Sequence, residues 1–75
     1  MKVTVKLIGP FVQAFGFSEK ELDVQAGTTA DGLVALVDVD KVRPKIVTRN
    51  GRAVAPDEEL AEGDRIVISP IYSGG

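Results

Sequence analysis

The chain contains no histidine, no cysteine and no tryptophan. Those absences remove His-dependent triads, Cys nucleophiles, zinc sites with N and S ligands and disulfide frameworks from the functions open to it. Positive charge is also short: 9 Lys and Arg stand against 11 Asp and Glu, for a formal net charge of -2. Binding to a phosphate backbone needs the opposite balance, so nucleic acid is not an expected partner. Long apolar runs are missing too. The longest, Leu33 to Val37, is far short of a membrane span, and Met1-Lys2 leads into polar/apolar alternation rather than the apolar core of a signal peptide. No membrane association is expected, and the cytoplasm is the expected location. No G-x-G-x-x-G and no Gly-Lys-Ser/Thr occurs, which leaves no nucleotide cradle in this chain.

What is present suits a small folded domain. With 75 residues, 44% apolar and 27% charged, the composition is globular and allows one domain over 1–75 with a modest core and a C-terminal tail from about residue 70. Met1, Val3, Val5 and Leu7 alternate with Lys2, Thr4 and Lys6, the period of two of a half-buried strand. Gly9-Pro10 stops it. Alternation returns from Ser18 to Val24, predicting a second strand. Between them, Phe11 and Phe15 are spaced for one helical turn, and Phe11, Phe15 and Phe17 are read as a cover over the open end of the core rather than as a partner contact.

Thr28 stands three residues before Asp31, so a hydroxyl can cap an orphan N–H while a carboxylate meets the positive helix end. A helix is therefore predicted from Thr28 or Thr29 to Val37 or Asp38, with Ala30, Leu33, Val34 and Val37 as its buried stripe. Ile46 to Arg49 and Arg52 to Val54 flank Asn50-Gly51, the pair best suited to a two-residue type I′ hairpin turn. Arg65 to Ser69 is apolar on both faces, as a central strand is. The predicted core is Val3, Val5, Leu7, Leu22, Val24, Leu33, Val34, Val37, Ile46, Ile66 and Ile68. The order strand, strand, helix, hairpin, strand gives an α+β class. Setting the last strand beside the first and parallel to it, away from the second, makes a mixed sheet packed on one main helix, the β-grasp.

Candidate chemistry is confined to carboxylates, hydroxyls, lysines and Tyr72. Asp57, Glu58, Glu59, Glu62 and Asp64 lack the spacing of a calcium loop and are read as solvated turn residues. Asp38 and Asp40 are read the same way, so no metal is expected. The ending Pro70-Ile71-Tyr72-Ser73-Gly74-Gly75 is the unusual feature. At about 7% glycine, two terminal glycines arise by chance in roughly 0.5% of chains. Pro70 removes a ladder donor and ends the last strand, so the following residues project as a tail. Ser73, Gly74 and Gly75 carry little or no side chain and can pass through a narrow channel in whatever torsions a foreign active site demands. Ile71 and Tyr72, just past the expected sheet end, are candidate docking residues.

Three features together resemble the sulfur-carrier proteins of the MoaD/ThiS family, which share the ubiquitin-like β-grasp. They are the Asn50-Gly51 hairpin, the run Asp57-Glu58-Glu59-Leu60-Ala61-Glu62-Gly63-Asp64-Arg65-Ile66, and the Gly74-Gly75 ending. The likeness spans essentially the whole chain. It implies that a ubiquitin-activating-type enzyme, using ATP, adenylates the Gly75 carboxylate. Sulfur from a persulfide-bearing donor protein then displaces AMP, and the thiocarboxylate serves an acceptor enzyme that makes molybdopterin, thiamin or a thionucleoside. On that reading the chain is carrier and substrate rather than enzyme, or the small subunit of a sulfur-transferring enzyme such as molybdopterin synthase, and binds no cofactor itself. Pro70-Ile71 replaces the two prolines often found before the tail of molybdopterin-synthase small subunits, and Phe11 to Phe17 is shorter than their helical insertion. The acceptor stays open. Two alternatives also stay open: a ubiquitin-like modifier forming isopeptide bonds through Gly75, and a β-grasp interaction module that is never activated.

Overall fold

The computed structural model describes residues 1–37, 39 and 45–71. Strand β1 (Lys2–Leu7) is followed by a short helix α1 (Pro10–Phe15), strand β2 (Glu19–Asp23) and helix α2 (Ala30–Leu36). Strands β3 (Lys45–Arg49), β4 (Arg52–Ala53) and β5 (Arg65–Pro70) complete it. The sheet order is β2-β1-β5-β3-β4. Only the β1–β5 pair is parallel among the pairings of the described residues, with Val5 opposite Ile66 and Leu7 opposite Ile68. The last strand is thus central and beside the first, as its two apolar faces require, and Ile66 and Ile68 are fully buried. Each such side chain removed from water contributes roughly 1.5–3 kcal/mol.

Helix α2 packs on one face of the sheet through Ala30, Leu33 and Val34, against Val3, Val5, Leu7, Ile66 and Ile68. Its start falls at the second of the two expected positions. Thr29, not Thr28, is the N-cap, with its hydroxyl accepting from Gly32 N–H at 3.1 Å, while the Thr28 hydroxyl donates to the Gln25 carbonyl at 2.7 Å. The Gly27 turn sets this phase by bringing Thr28 back onto Gln25, which leaves Thr29 extended at φ -91 and ψ 167. Leu36 remains 62% exposed.

Helix α1 runs longer than the single turn expected. Pro10 fits its first position, where no donor is needed. Gly16 closes it in the left-handed conformation at φ 85 and donates its N–H to the Val12 carbonyl at 2.9 Å. Phe11 is buried and stands edge-on to Phe15 at 6.0 Å, and Phe15 and Phe17 pack against the core cluster. The aromatic segment therefore serves as a cover.

The core differs from the expected set at several positions. Ile46 was expected inside and is 46% exposed. Register explains it: Val47 lies opposite buried Ile68, so the alternation of β3 turns Val47 inward and Ile46 outward, opposite Ser69. Phe11, Val39 and Leu60 join the core beyond the expected set, Ala30 is buried as its place in the helix stripe implies, and Leu22 and Val37 are only partly buried. Asp38, Asp40 and Pro44 lie outside the described residues, as do Tyr72, Ser73, Gly74 and Gly75.

Candidate functional site at the C-terminal tail

Residues 72–75 follow β5 and Ile71 in the chain, and β5 is held differently at its two ends. At the start, the Asn50-Gly51 turn has φ of 51 and 84, the positive pair that a type I′ hairpin needs. This turn brings Arg49 and Asn50 beside the segment that enters β5. Asp64, 5% exposed, accepts from Arg49 Nε at 2.7 Å, from Asn50 Nδ2 at 2.9 Å and from Ala61 N–H at 2.7 Å. Asn50 Oδ1 in turn accepts from Arg65 N–H at 2.9 Å. Arg49 Nη1 reaches Glu58 at 2.7 Å. A buried carboxylate is stabilising only when its charge and lone pairs are matched, and these donors match them.

The electrostatics follow. Burial pushes the Asp64 carboxyl up, but the hydrogen bonds from Ala61, Asn50 and Arg49, with the Arg49 charge, outweigh it and hold Asp64 below its ordinary value. Glu58 is also lowered, first by its bond from Arg49 and then by Ala55 N–H. Arg49 is raised in return, chiefly by Glu58 and then Asp64. Asp64 is therefore not the solvated turn residue expected, whereas Glu58 keeps a side chain 41% exposed and is paired with Arg49. Periodicity carries no trace of this network, because its members lie in turns and at strand ends and its contacts join segments distant in the chain. The available signal was positional: an Asp directly before a strand buried on both faces, with a hairpin returning beside it.

At the far end, roughly 17 Å along the strand by its rise per residue, the contacts thin out. Ile8 N–H donates to the Ile68 carbonyl at 3.1 Å, and Pro70 still sits in the ladder opposite Lys45, one residue beyond the expected strand end. Ile71 follows and is 45% exposed. The alternation of β5 places Val67 and Ser69 on the face opposite α2, and Ile46 lies across from Ser69 on that same face. Half-buried Val67 and exposed Ile46 share that face, and exposed Ile71 follows the strand. Of the expected tail residues, Ile71 is placed by the structure, whereas Tyr72, Ser73, Gly74 and Gly75 lie outside the described residues. Ile46 was missed as a surface residue because the choice between Ile46 and Val47 depends on register.

Two open grooves flank α2. One, about 550 Å³, runs along the segment from Asp23 to Thr29, and the other, about 380 Å³, lies between α2 and the hairpin. Neither lining includes β5 or Ile71. Among the described residues, no three acidic side chains gather as a metal-ligand set, and no helix is long and apolar enough to cross a membrane.

A mixed sheet with its last strand at the centre, parallel to the first, and one helix across one face define a ubiquitin-like β-grasp protein. The ThiS family model matches residues 5–75, and the chain belongs to that family, whose members are small carrier subunits. No curated protein sequence matches the chain. Among solved structures it is similar to SAMP1 from Haloferax volcanii, with 27% identity, both chains covered in full and a TM-score of 0.83. It is also similar to a putative molybdopterin converting factor, subunit 1, from Pyrococcus furiosus, with 27% identity over 95% of this chain and 99% of that one and a TM-score of 0.80. A ubiquitin from Caldiarchaeum subterraneum is 27% identical over 100% of this chain and 98% of that one, with a TM-score of 0.66.

Proposed function

We propose that the chain is a sulfur carrier whose Gly75 carboxylate is adenylated and converted to a thiocarboxylate. The supporting observation is that the family match runs through residue 75 and so includes Gly74-Gly75. A carboxylate is a poor electrophile, and ATP in an activating enzyme makes it reactive: a terminal oxygen attacks the α-phosphorus and pyrophosphate leaves. The terminal sulfur of a persulfide donor then attacks the acyl carbon, AMP leaves, and a thiol cleaves the remaining S–S bond to free the thiocarboxylate. The activating partner supplies the cations for phosphoryl chemistry. This chain supplies the carboxylate, the narrow Ser73-Gly74-Gly75 tail and a docking surface in Ile71 and Tyr72, and binds no cofactor itself. The product sulfur passes to an acceptor enzyme in molybdopterin, thiamin or thionucleoside synthesis.

A second reading, a modifier joined to lysines through Gly75, is favoured by the likeness to the Caldiarchaeum subterraneum ubiquitin. Both readings share the adenylate and differ in the nucleophile that consumes it. Incubation with an adenylating partner, ATP and a persulfide donor is expected to exchange one terminal oxygen for sulfur in the intact mass. Isopeptide products on lysines without that exchange support the modifier, and no activation by any adenylating enzyme leaves a plain interaction module.

A further inference from the structure

The Asn50-Gly51 hairpin carries a chemistry that its turn role leaves unused. In an Asn-Gly pair the glycine nitrogen can attack the Asn side-chain carbonyl. The Gly51 N–Cγ bond forms, the Cγ–Nδ2 bond breaks, and ammonia leaves with the proton of the Gly51 amide. Water then opens the succinimide to aspartate or isoaspartate. The only co-reactant is water, and nothing is oxidised or reduced.

The surroundings both permit and restrain this step. Asn50 is exposed, and the space where a Gly51 Cβ would stand is open to 4 Å. Yet both ends of the Asn50 carboxamide are engaged, Nδ2 with Asp64 Oδ1 at 2.9 Å and Oδ1 with Arg65 N–H at 2.9 Å. This orientation is forced, because a carboxylate needs the amide donor and a backbone N–H needs the amide oxygen. Attack by Gly51 requires the carboxamide to turn out of both bonds, so it proceeds from a locally opened state.

We propose that Asn50 is a spontaneous deamidation site and that the latch of Arg49, Asn50 and Asp64 sets its rate. The product does not fit back. A carboxylate at position 50 replaces the donor facing Asp64 Oδ1 with a second negative charge, and Arg49 is already shared between Asp64 and Glu58. The isoaspartyl form also adds a backbone carbon to a two-residue turn and breaks the Arg49 to Arg52 register. Deamidation thus unlatches the start of β5 irreversibly and marks aged molecules.

The test follows isoaspartate at residue 50 by peptide mapping and isoaspartyl methyltransferase labelling of the full chain at mildly alkaline pH, folded and in denaturant. Denatured chain is expected to react fastest and folded wild type slowest. Asp64→Ala should accelerate the folded protein on the order of tenfold, as loss of a charged acceptor from the latch implies. Should Asp64→Ala fail to fold, Glu58→Gln releases one arm of Arg49 and should give a smaller acceleration. An amide that persists at residue 50 in denaturant removes the site, and equal rates in folded wild type, folded variants and denatured chain remove the latch. Asn50→Asp should melt below Asn50→Ser, with the gap closing in acid. Equal melting at neutral pH overturns the unlatching.

Discussion

Where β5 begins, a buried carboxylate is held by a guanidinium, a carboxamide and a backbone amide. Where it ends, Pro70 gives up its ladder donor and Ile71 is 45% exposed. The contrast is between a strand start fixed by matched polar partners and a strand finish followed by exposed apolar surface. Polar contacts with exact partners fix position at the start of the strand. At the finish, Ile46 and Ile71 present exposed apolar surface and Val67 is half-buried.

The comparison breaks most completely at the tail itself. Deleting Gly75 is expected to abolish sulfur acquisition while the melting curve stays unchanged, because the reacting carbonyl is displaced from the partner's active site and the fold contributes nothing to compensate. A melting shift together with retained sulfur gain overturns this. The reverse pattern is expected from Asp64→Ala: a loss of roughly 2 kcal/mol in denaturant titration, since a buried charged acceptor goes and Arg49 and Asn50 lose it, and a melting temperature lower by about 10 °C. Sulfur gain per folded molecule should not change.

A smaller effect separates the ends by binding. Ile71→Ala, Ile46→Ala or Tyr72→Ala should each weaken capture by the adenylating partner by about 1 kcal/mol, read as a rise in Kd, with little effect on melting. Equal weakening by Asp64→Ala would erase the division. The smallest effect is that of pH. Asp64 and Glu58 have lowered folded values, so their contribution is complete above the ordinary values of 3.8 and 4.5 and is lost as pH falls through that range and below it. Between the unfolded and folded values the unfolded chain binds more protons, so stability rises with pH there. Denaturant midpoints taken from neutral pH into acid should fall for wild type more than for Asp64→Asn with Glu58→Gln.

The two ends also differ in how far their roles were legible. Gly74-Gly75 and the Pro70 stop are visible in one dimension, because glycine and proline act through their own covalent structure. The Arg49 to Asp64 contact joins a hairpin to a loop 15 residues away, and no local pattern reports a contact of that kind. Acidic residues clustered in turns look alike whether they face solvent, as Asp57 and Glu59 do, or an arginine, as Asp64 does.

The sequence by itself determined the strand alternation of β1, the helix stripe of α2, the Asn50-Gly51 hairpin and the central position of β5. Each follows from local periodicity, backbone preference or an apolar pattern that leaves one burial option. Tertiary structure alone decided that Val47 rather than Ile46 enters the core and that Asp64 is buried. In each case neighbouring residues were chemically equivalent candidates, and the choice between them was made by register or by a partner distant in the chain.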